Sequence, residues 1–455
     1  MRHLIFFIVV IVSCSNISYG QQNNELSNFA PTVHPDRIMM SIPGNPATSR
    51  AISWRTVFND TISIGEIALA DANSKLEEQS VKITGTFDAW EDGSQFSMGH
   101  KVVFENLQPN TKYDYRVGNG EHWSEWLQFE TSSDSAEKFS FLYFGDVQND
   151  IKSYGSRILR QAYSHFSDAD FMLFVGDLVS ISDDRYWSEF FYAGGWMFGM
   201  VPSIVTPGNH EYDSHENRNR TWGKHWNQIY TMPANSPSEK YYNRFYYVDY
   251  QGVRFVSIDS PAIETNVEDS TMLLNWLEKT FADNPNRWTV VLTHFPVYSC
   301  SQGRSNEKYK NTIKPILEKY GVDLVLQGHD HSYCRGQNLD KVGPDCKNAP
   351  MYVVSMAGPK MYGLDVSFWS DRVASKTQLY QHITISNDTL HFKSFMVTGA
   401  LYDDFMLVKN KNGVNNFIES EEVANIPQRS EMPKGAIRKY TEQDLQKYRQ
   451  KFQDK

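Results

Sequence analysis

The pattern of apolar and polar positions changes character once along the chain. Between residue 27 and about residue 132, short segments alternate apolar with polar residues and are separated by turn residues: 51–58 (AISWRTVF), 63–70, 81–87, 100–107, 112–118 and 126–132. Several short alternating strands at close spacing predict an all-β sandwich. Residues 131–136 read as a linker. Beyond it the runs are continuously apolar: 139–146 (FSFLYFGD), 170–177, 202–209, 253–260, 288–295, 322–329 and 351–357. Such runs are expected of strands covered on both faces, with helices between them. Leu273, Trp276, Leu277 and Phe281 repeat at helical spacing and predict a helix over 270–283. Ile313, Ile316, Leu317 and Tyr320 do the same for 308–321. The aromatics from Trp187 to Phe198 read as the packed face of a further helix or, alternatively, as a surface that binds a ring. Residues 381–387 and 389–397 predict a hairpin turning near Asp388, and from about 411 the chain is polar, with 430–455 a charged helix or a disordered segment. The expected fold class is multidomain, α/β + β: a sandwich over 27–132, an α/β domain over 137–400 and a polar tail over 411–455.

Composition narrows this little but usefully. Of 455 residues, 40% are hydrophobic and 22% charged, enough to bury a large core and to exclude a disordered chain. The net charge of −10 argues against a general nucleic-acid or anionic-membrane binder, which needs a basic face. It leaves an anionic substrate open, since bound metal ions supply positive charge locally.

Arg2 and His3 precede an apolar run from Leu4 to Val12, too short for a membrane span, which needs about 20 residues. A charged start, a short apolar run and a small-residue exit read as an export signal over 1–20. Two cleavage patterns compete: Ser18-Tyr19-Gly20 before Gln21, and Ile11-Val12-Ser13 before Cys14, a lipobox-like order that would leave a lipid anchor on Cys14. Either places the mature protein outside the cytoplasm, periplasmic, extracellular or lipid-anchored. No later stretch is long and apolar enough to span a membrane. Export permits a disulfide. Cys334 and Cys346, close in sequence across a Gly/Pro/Asp loop, are the expected pair, with Cys300 a small buried residue.

The candidate chemistry lies where the apolar runs stop. They end in Gly145-Asp146-Val147-Gln148, in Gly176-Asp177, in Gly208-Asn209-His210-Glu211, in Thr293-His294, and in Gly328-His329-Asp330-His331. Open α/β sheets gather ligands at the carboxyl edge of their strands, where loops converge. Gly-Asp alone is an ordinary turn and one His an ordinary core residue. Five such endings in order are not, because burying so many polar groups costs several kcal/mol unless something pairs them. Asp, Asn and His together suit iron, manganese or zinc better than calcium. The donors are too many for one tetrahedral site. A carboxylate can bridge two ions, so the set fits a two-metal site with ions about 3.5–4 Å apart, which would hold a phosphate oxygen and activate a water.

These residues resemble the metallophosphoesterase signature. Thr206-Pro207-Gly208-Asn209-His210-Glu211 and Gly328-His329-Asp330-His331-Ser332-Tyr333-Cys334-Arg335 are similar to purple acid phosphatases in particular. Leu107-Gln108-Pro109-Asn110-Thr111-Lys112-Tyr113-Asp114-Tyr115 resembles a stretch of fibronectin type III modules, and purple acid phosphatases carry such a domain at their N-terminus. The resemblance covers about residues 30 to 400 and implies an α/β/β/α sandwich for the second domain. It implies that Asp177 bridges two metals, that Asp146 and His331 bind the first, and that Asn209, His294 and His329 bind the second. His210 would sit over the phosphate and stabilise charge or protonate the leaving group, work suited to an imidazole; the alternative is a histidine that only holds a neighbour in place.

Two positions depart from the family. Its Gly-Asp-x-x-Tyr supplies a tyrosinate that binds ferric iron and gives the purple colour; here Ser180 stands in that place, and Tyr186 would reach the site only if the loop bent back. Its Asp-x-Gly is here Asp146-Val147-Gln148, so Gln148 either takes the vacant ligand place or bonds a metal-bound water. The expectation is a non-purple enzyme. Asp213, His215, Tyr333 and Arg335 are candidates to shape the substrate pocket, Arg335 by holding a phosphate oxygen or, alternatively, by pairing with a carboxylate.

The expected function is an exported phosphatase with two metal ions drawn from Fe, Zn and Mn, hydrolysing small phosphomonoesters by in-line attack of a bridging hydroxide. Two alternatives stay open. One is a phosphodiesterase on nucleotides or lipid headgroups using the same site. The other is a non-catalytic surface-binding protein. Oligomeric state is not legible.

Overall fold

The structure, a computed structural model, describes residues 29–92, 95–213, 221–266, 268–432 and 435–453. The expected export signal, Cys14 and His215 lie outside the described residues.

The first domain is a sandwich of two four-stranded layers. One orders Asp36–Ser41, Arg50–Val57, Gln95–Phe104 and Thr86–Asp92; the other orders Val81–Thr84, Ile64–Leu69, Lys112–Gly118 and Leu127–Glu130. The alternation read in the sequence puts Ile52, Trp54, Val102, Phe104, Tyr115 and Phe129 between the layers. Tyr113 closes the corner, its hydroxyl oxygen accepting the Gln108 N–H at 2.9 Å. This layer does not stop at the domain edge. Ser41 pairs in parallel with Ser203, which fuses the first layer to the second domain in one eleven-stranded sheet.

The second domain packs two sheets face to face. In the first, Phe139–Phe144, Phe171–Phe174 and Ser203–Val205 run parallel and are flanked by the antiparallel hairpin Leu379–Ser386 and Thr389–Met396. In the second, Val253–Ile258, Trp288–Thr293, Leu324–Gln327 and Met351–Val354 run parallel. Every residue of Trp288–Thr293 is buried, as its continuous apolar run requires. Val290 and Leu292 face the core shared by both sheets, whereas Val291 faces Leu273, Leu277, Ile313 and Leu317 of the covering helices Ser270–Ala282 and Glu307–Tyr320. On the other side Ser156–His165 and Asp184–Gly194 bury Ile158, Leu159, Trp187 and Phe190. The order of layers is α/β/β/α.

The polar segment beyond residue 411 is part of this body. Asn415–Glu419 extends the first sheet beside Leu401–Lys409, and the helix Glu442–Phe452 inserts Tyr448 and Phe452 into the second core. Two apolar residues on one face of a charged helix suffice for docking, a signal that mean polarity hides.

The cysteine pairing differs from expectation. Cys300 bonds Cys334, with Cα atoms 6.6 Å apart, and Cys346 is left free. The strand Tyr333–Gly336 turns Cys334 into the second core, where Cys300 also lies, while Cys346 sits in the loop beyond it. Closing a loop of 34 residues stabilises the fold by about 4 kcal/mol in the chain-entropy account. No helix among the described residues is long and apolar enough to cross a membrane.

Candidate metal centre

Both sheets point their carboxyl edges at one place. Asp146, Asp177 and Asn209 leave the ends of three strands of the first sheet, and His294, His329 and His331 leave the ends of two strands of the second. The chain turns sharply to do so. Asp146, Asp177, His329 and His331 all have positive φ, between 41° and 72°. Each non-glycine residue so held costs of order 1–3 kcal/mol and is kept where the surroundings over-determine it. The approach is close enough to demand glycine at two neighbours: a Cβ on Gly208 would lie 2.2 Å from Asp177 Oδ1, and one on Gly328 2.3 Å from Asp146 Oδ2.

Ligand atoms of Asp177, His294 and His329 lie within 4.8 Å of one another, and so do those of Asp146, Asp177 and His331. Asp177 is common to both groups. Asn209 joins the first, its Oδ1 3.3 Å from His294 Nε2. Two imidazoles are oriented by backbone carbonyls: His294 Nδ1 donates to Val175 O at 2.9 Å and His331 Nδ1 donates to Lys360 O at 3.1 Å. That leaves the Nε2 atoms facing the carboxylates, 3.2 Å from Asp177 Oδ2 for His294 and 3.7 Å from Asp146 Oδ1 for His331. Carbonyl-held imidazoles are the usual support of metal-ligating histidines.

The donor set fits cations. Asp146 Oδ1 and Gln148 Oε1 are buried without a hydrogen-bond partner. His329 Nδ1 and His294 Nε2 face each other at 3.2 Å. The electrostatics carry the same strain. Burial raises the Asp146 carboxyl well above its ordinary range, with Asp177 adding to it. Burial would raise Asp177 too, but His294 and His210 hold it below the ordinary range. Burial opposes charging of His294, yet Asp177 lifts it to about 9; burial holds His331 down to about 3 and His329 well below its ordinary value. Aligned carboxylates and imidazoles with conflicting protonation are relieved by a shared positive ion.

The departures from the family motif are both seated at this centre. Gln148 Nε2 donates to Asp177 Oδ2 at 2.9 Å and stands 3.2 Å from His331 Nε2. Ser180 Oγ accepts the Asn149 N–H, and its carbonyl accepts from His210 Nδ1 at 2.5 Å. His210 is thereby turned with Nε2 3.9 Å from Asp177 Oδ2, its side chain 31% exposed. Tyr186 lies on the helix Asp184–Gly194, packed against the main core.

Tyr333 and Arg335, two candidates for the substrate pocket, lie in the interior. Both are completely buried: the Tyr333 hydroxyl donates to Asp403 Oδ2 at 2.7 Å, and Arg335 Nε donates to the same oxygen at 2.9 Å. Of the two readings of Arg335, pairing with a carboxylate is the one the structure shows, and Tyr333 bonds the same Asp403. Asp213 lies in the short strand Tyr212–Asp213. Three supporting residues had no role assigned to them from the sequence. Glu211 binds three backbone N–H groups of the loops, Asp330 accepts from Ser299 Oγ at 2.5 Å, and Arg304 donates to His329 O at 3.0 Å. Glu211 and Asp330 are the non-ligand members of their motifs; Arg304 has no motif around it.

Fold and site together define a metallophosphoesterase. Residues 139–333 match the calcineurin-like phosphoesterase family and residues 35–131 match the N-terminal domain of purple acid phosphatases. The chain thus carries a calcineurin-like metallophosphoesterase domain behind a purple acid phosphatase N-terminal domain. It is 31% identical over 278 residues to purple acid phosphatase 21 of Arabidopsis thaliana, covering 59% of this chain and 60% of the relative. It is 26% identical to acid phosphatase type 7 of Danio rerio, covering 66% and 71%. Among solved structures, one described as the structure of PhoD superposes with a TM-score of 0.62 over 91% of this chain and 98% of its own, at 13% identity, a likeness of fold.

Proposed function

We propose that this chain is an exported phosphatase that uses two metal ions to hydrolyse phosphomonoesters. The observation that carries the reading is the shared carboxylate: Asp177 belongs to both clusters of donors, the arrangement a two-ion site needs. Asp146 and His331 would complete one side, and Asn209, His294 and His329 the other. Two ions of iron, zinc or manganese, when bound, supply Lewis-acid stabilisation at phosphorus and a water of lowered pKa. The protein's part is positional. Gln148 anchors Asp177, carbonyls fix the imidazoles of His294 and His331, and His210 is the exposed edge of the site. The Ser180 carbonyl holds His210 Nδ1–H, so Nε2 is the atom that gives a proton to the departing alkoxide during in-line displacement. Export is supported by the apolar run at 4–12 and by the Cys300–Cys334 disulfide, which an oxidising compartment preserves.

The test is turnover of a chromogenic phosphomonoester and of the matching diester, before and after chelation. The reading predicts monoester turnover that chelation removes and added metal restores. Faster turnover of the diester, or turnover that survives complete removal of metal, would overturn it.

A further inference from the structure

We infer that Arg304 selects substrates whose leaving group carries a second anion, a carboxylate or a further phosphate. The inference rests on the phosphatase reading above and concerns the part of the substrate that departs.

Arg304 sits between the centre and a cavity. Its Nη1 donates to His329 O at 3.0 Å, and its Nη2 donates to Tyr362 Oη at 3.3 Å. The guanidinium lies over the Tyr362 ring at 4.8 Å, and that ring meets the His331 ring edge-on at 4.7 Å. The arginine therefore rests on the loop that carries two proposed ligands. Its side chain stays 30% exposed, and its nearest carboxylate oxygen, Asp330 Oδ1, is 3.8 Å away. A guanidinium with donors to spare, stacked and pre-oriented, is suited to a planar oxyanion.

The same residue lines an open cavity of about 660 Å³. Ser299 and Ser301 also line it and are bonded to Asp330, so the cavity is tied to the same loop. Lys310, Lys314 and Lys341 join Arg304 in the lining, against Asp340 and Asp365. Asp365 is already engaged by Tyr440 and Lys439. Lys310 and Lys314 are likewise engaged, by Glu307 and Glu318, so the positive charge left to the recess is that of Arg304 and Lys341 against Asp340, in a chain of net charge −10. A local cationic recess in an acidic protein concentrates anions by focusing the field. The inference places the transferred phosphoryl group at the metal centre and the remainder of the substrate toward Arg304, which touches the His329 carbonyl on one side and lines the recess on the other. A neutral alcohol makes no use of that charge.

The experiment uses the full, metal-loaded chain and two substrate pairs: 3-phosphoglycerate against glycerol 3-phosphate, and fructose 1,6-bisphosphate against fructose 6-phosphate. The first pair reads a carboxylate and the second a phosphate. We expect kcat/KM to favour the doubly anionic member by about ten- to a hundredfold in at least one pair, mainly through KM and less so at high salt. Arg304→Gln should bring that ratio close to one with metal content unchanged, and Arg304→Lys should restore part of it. Ratios near one in the wild type, or an Arg304→Gln variant that slows both members of a pair equally, would overturn the inference and leave Arg304 as a prop for the His329 carbonyl. Turnover of none of the four would instead bring down the phosphatase reading, and this inference with it.

Discussion

The Glu211 carboxylate fixes the backbone of Asp177. Its Oε2 accepts the Asp177 N–H at 2.8 Å and the Gly208 N–H at 2.6 Å, while Oε1 accepts the Leu178 N–H at 2.7 Å. One buried side chain thereby ties together the loop that carries Asp177 and the loop that carries Asn209. Burial, with Asp177 nearby, pushes its carboxyl up to about 7. Glu211→Ala strands three buried donors, each costing about 1–3 kcal/mol. The variant should lose about 3–5 kcal/mol in denaturant unfolding and bind metal more weakly by elemental analysis. Unchanged stability would show that the three contacts do not hold the loops.

His210 is in neither of the two donor clusters among the described residues, and its Nδ1 is taken up by the Ser180 carbonyl. His210→Ala should lower kcat by about a hundredfold or more and leave metal content as in the wild type. Loss of metal would mean that His210 is a ligand.

Ser180 stands where a tyrosinate would be, and its hydroxyl is occupied by the Asn149 N–H. Tyr362, the tyrosine whose ring meets His331, turns its hydroxyl to Arg304. The iron-loaded protein should therefore lack a strong visible charge-transfer band. A purple spectrum would contradict this arrangement.

His100 gives the fold a pH dependence away from the site. Its ring is buried in the sandwich, stacked on Trp54 at 5.1 Å, with hydroxyls of Thr56 and Ser63 2.7 Å from its two nitrogens. Burial lowers it to about 4, and burial does the same for His382. The unfolded rings take up protons near 6.5, so the unfolded state binds more protons between about 6.5 and about 4. Stability is full above 6.5 and falls as pH drops through that window. Thermal melts at pH 7 and pH 4.5 should show the loss, and His100→Gln should make it smaller. An equal loss in the variant would assign the effect elsewhere.

Much of the site was legible because each proposed ligand follows an apolar run, and parallel strands buried on both faces must end at one edge. Helices such as Ser270–Ala282 were legible from their apolar spacing. What escaped depends on partners far away in sequence. Arg335 and Tyr333 stand beside the motif, but Asp403, 68 residues beyond Arg335, draws them into the core. Cys334 is closer in sequence to Cys346 than to Cys300, yet the direction of its strand decides the pair. The Ser41–Ser203 pairing that fuses the two domains leaves no trace in either segment's pattern. Arg304 lies in a Gly/Ser-containing loop where only the fold reveals its neighbour, the His329 carbonyl.

The central claim is that Asp177 is shared by two cations. Metal content and phosphatase turnover, measured on the same preparations of wild type and Asp177→Ala, test it most directly. The account predicts two equivalents of iron, zinc or manganese per wild-type chain, and loss of both metal and turnover in the variant. A wild type that binds at most one equivalent, or an Asp177→Ala chain that keeps two ions and full turnover, would contradict it.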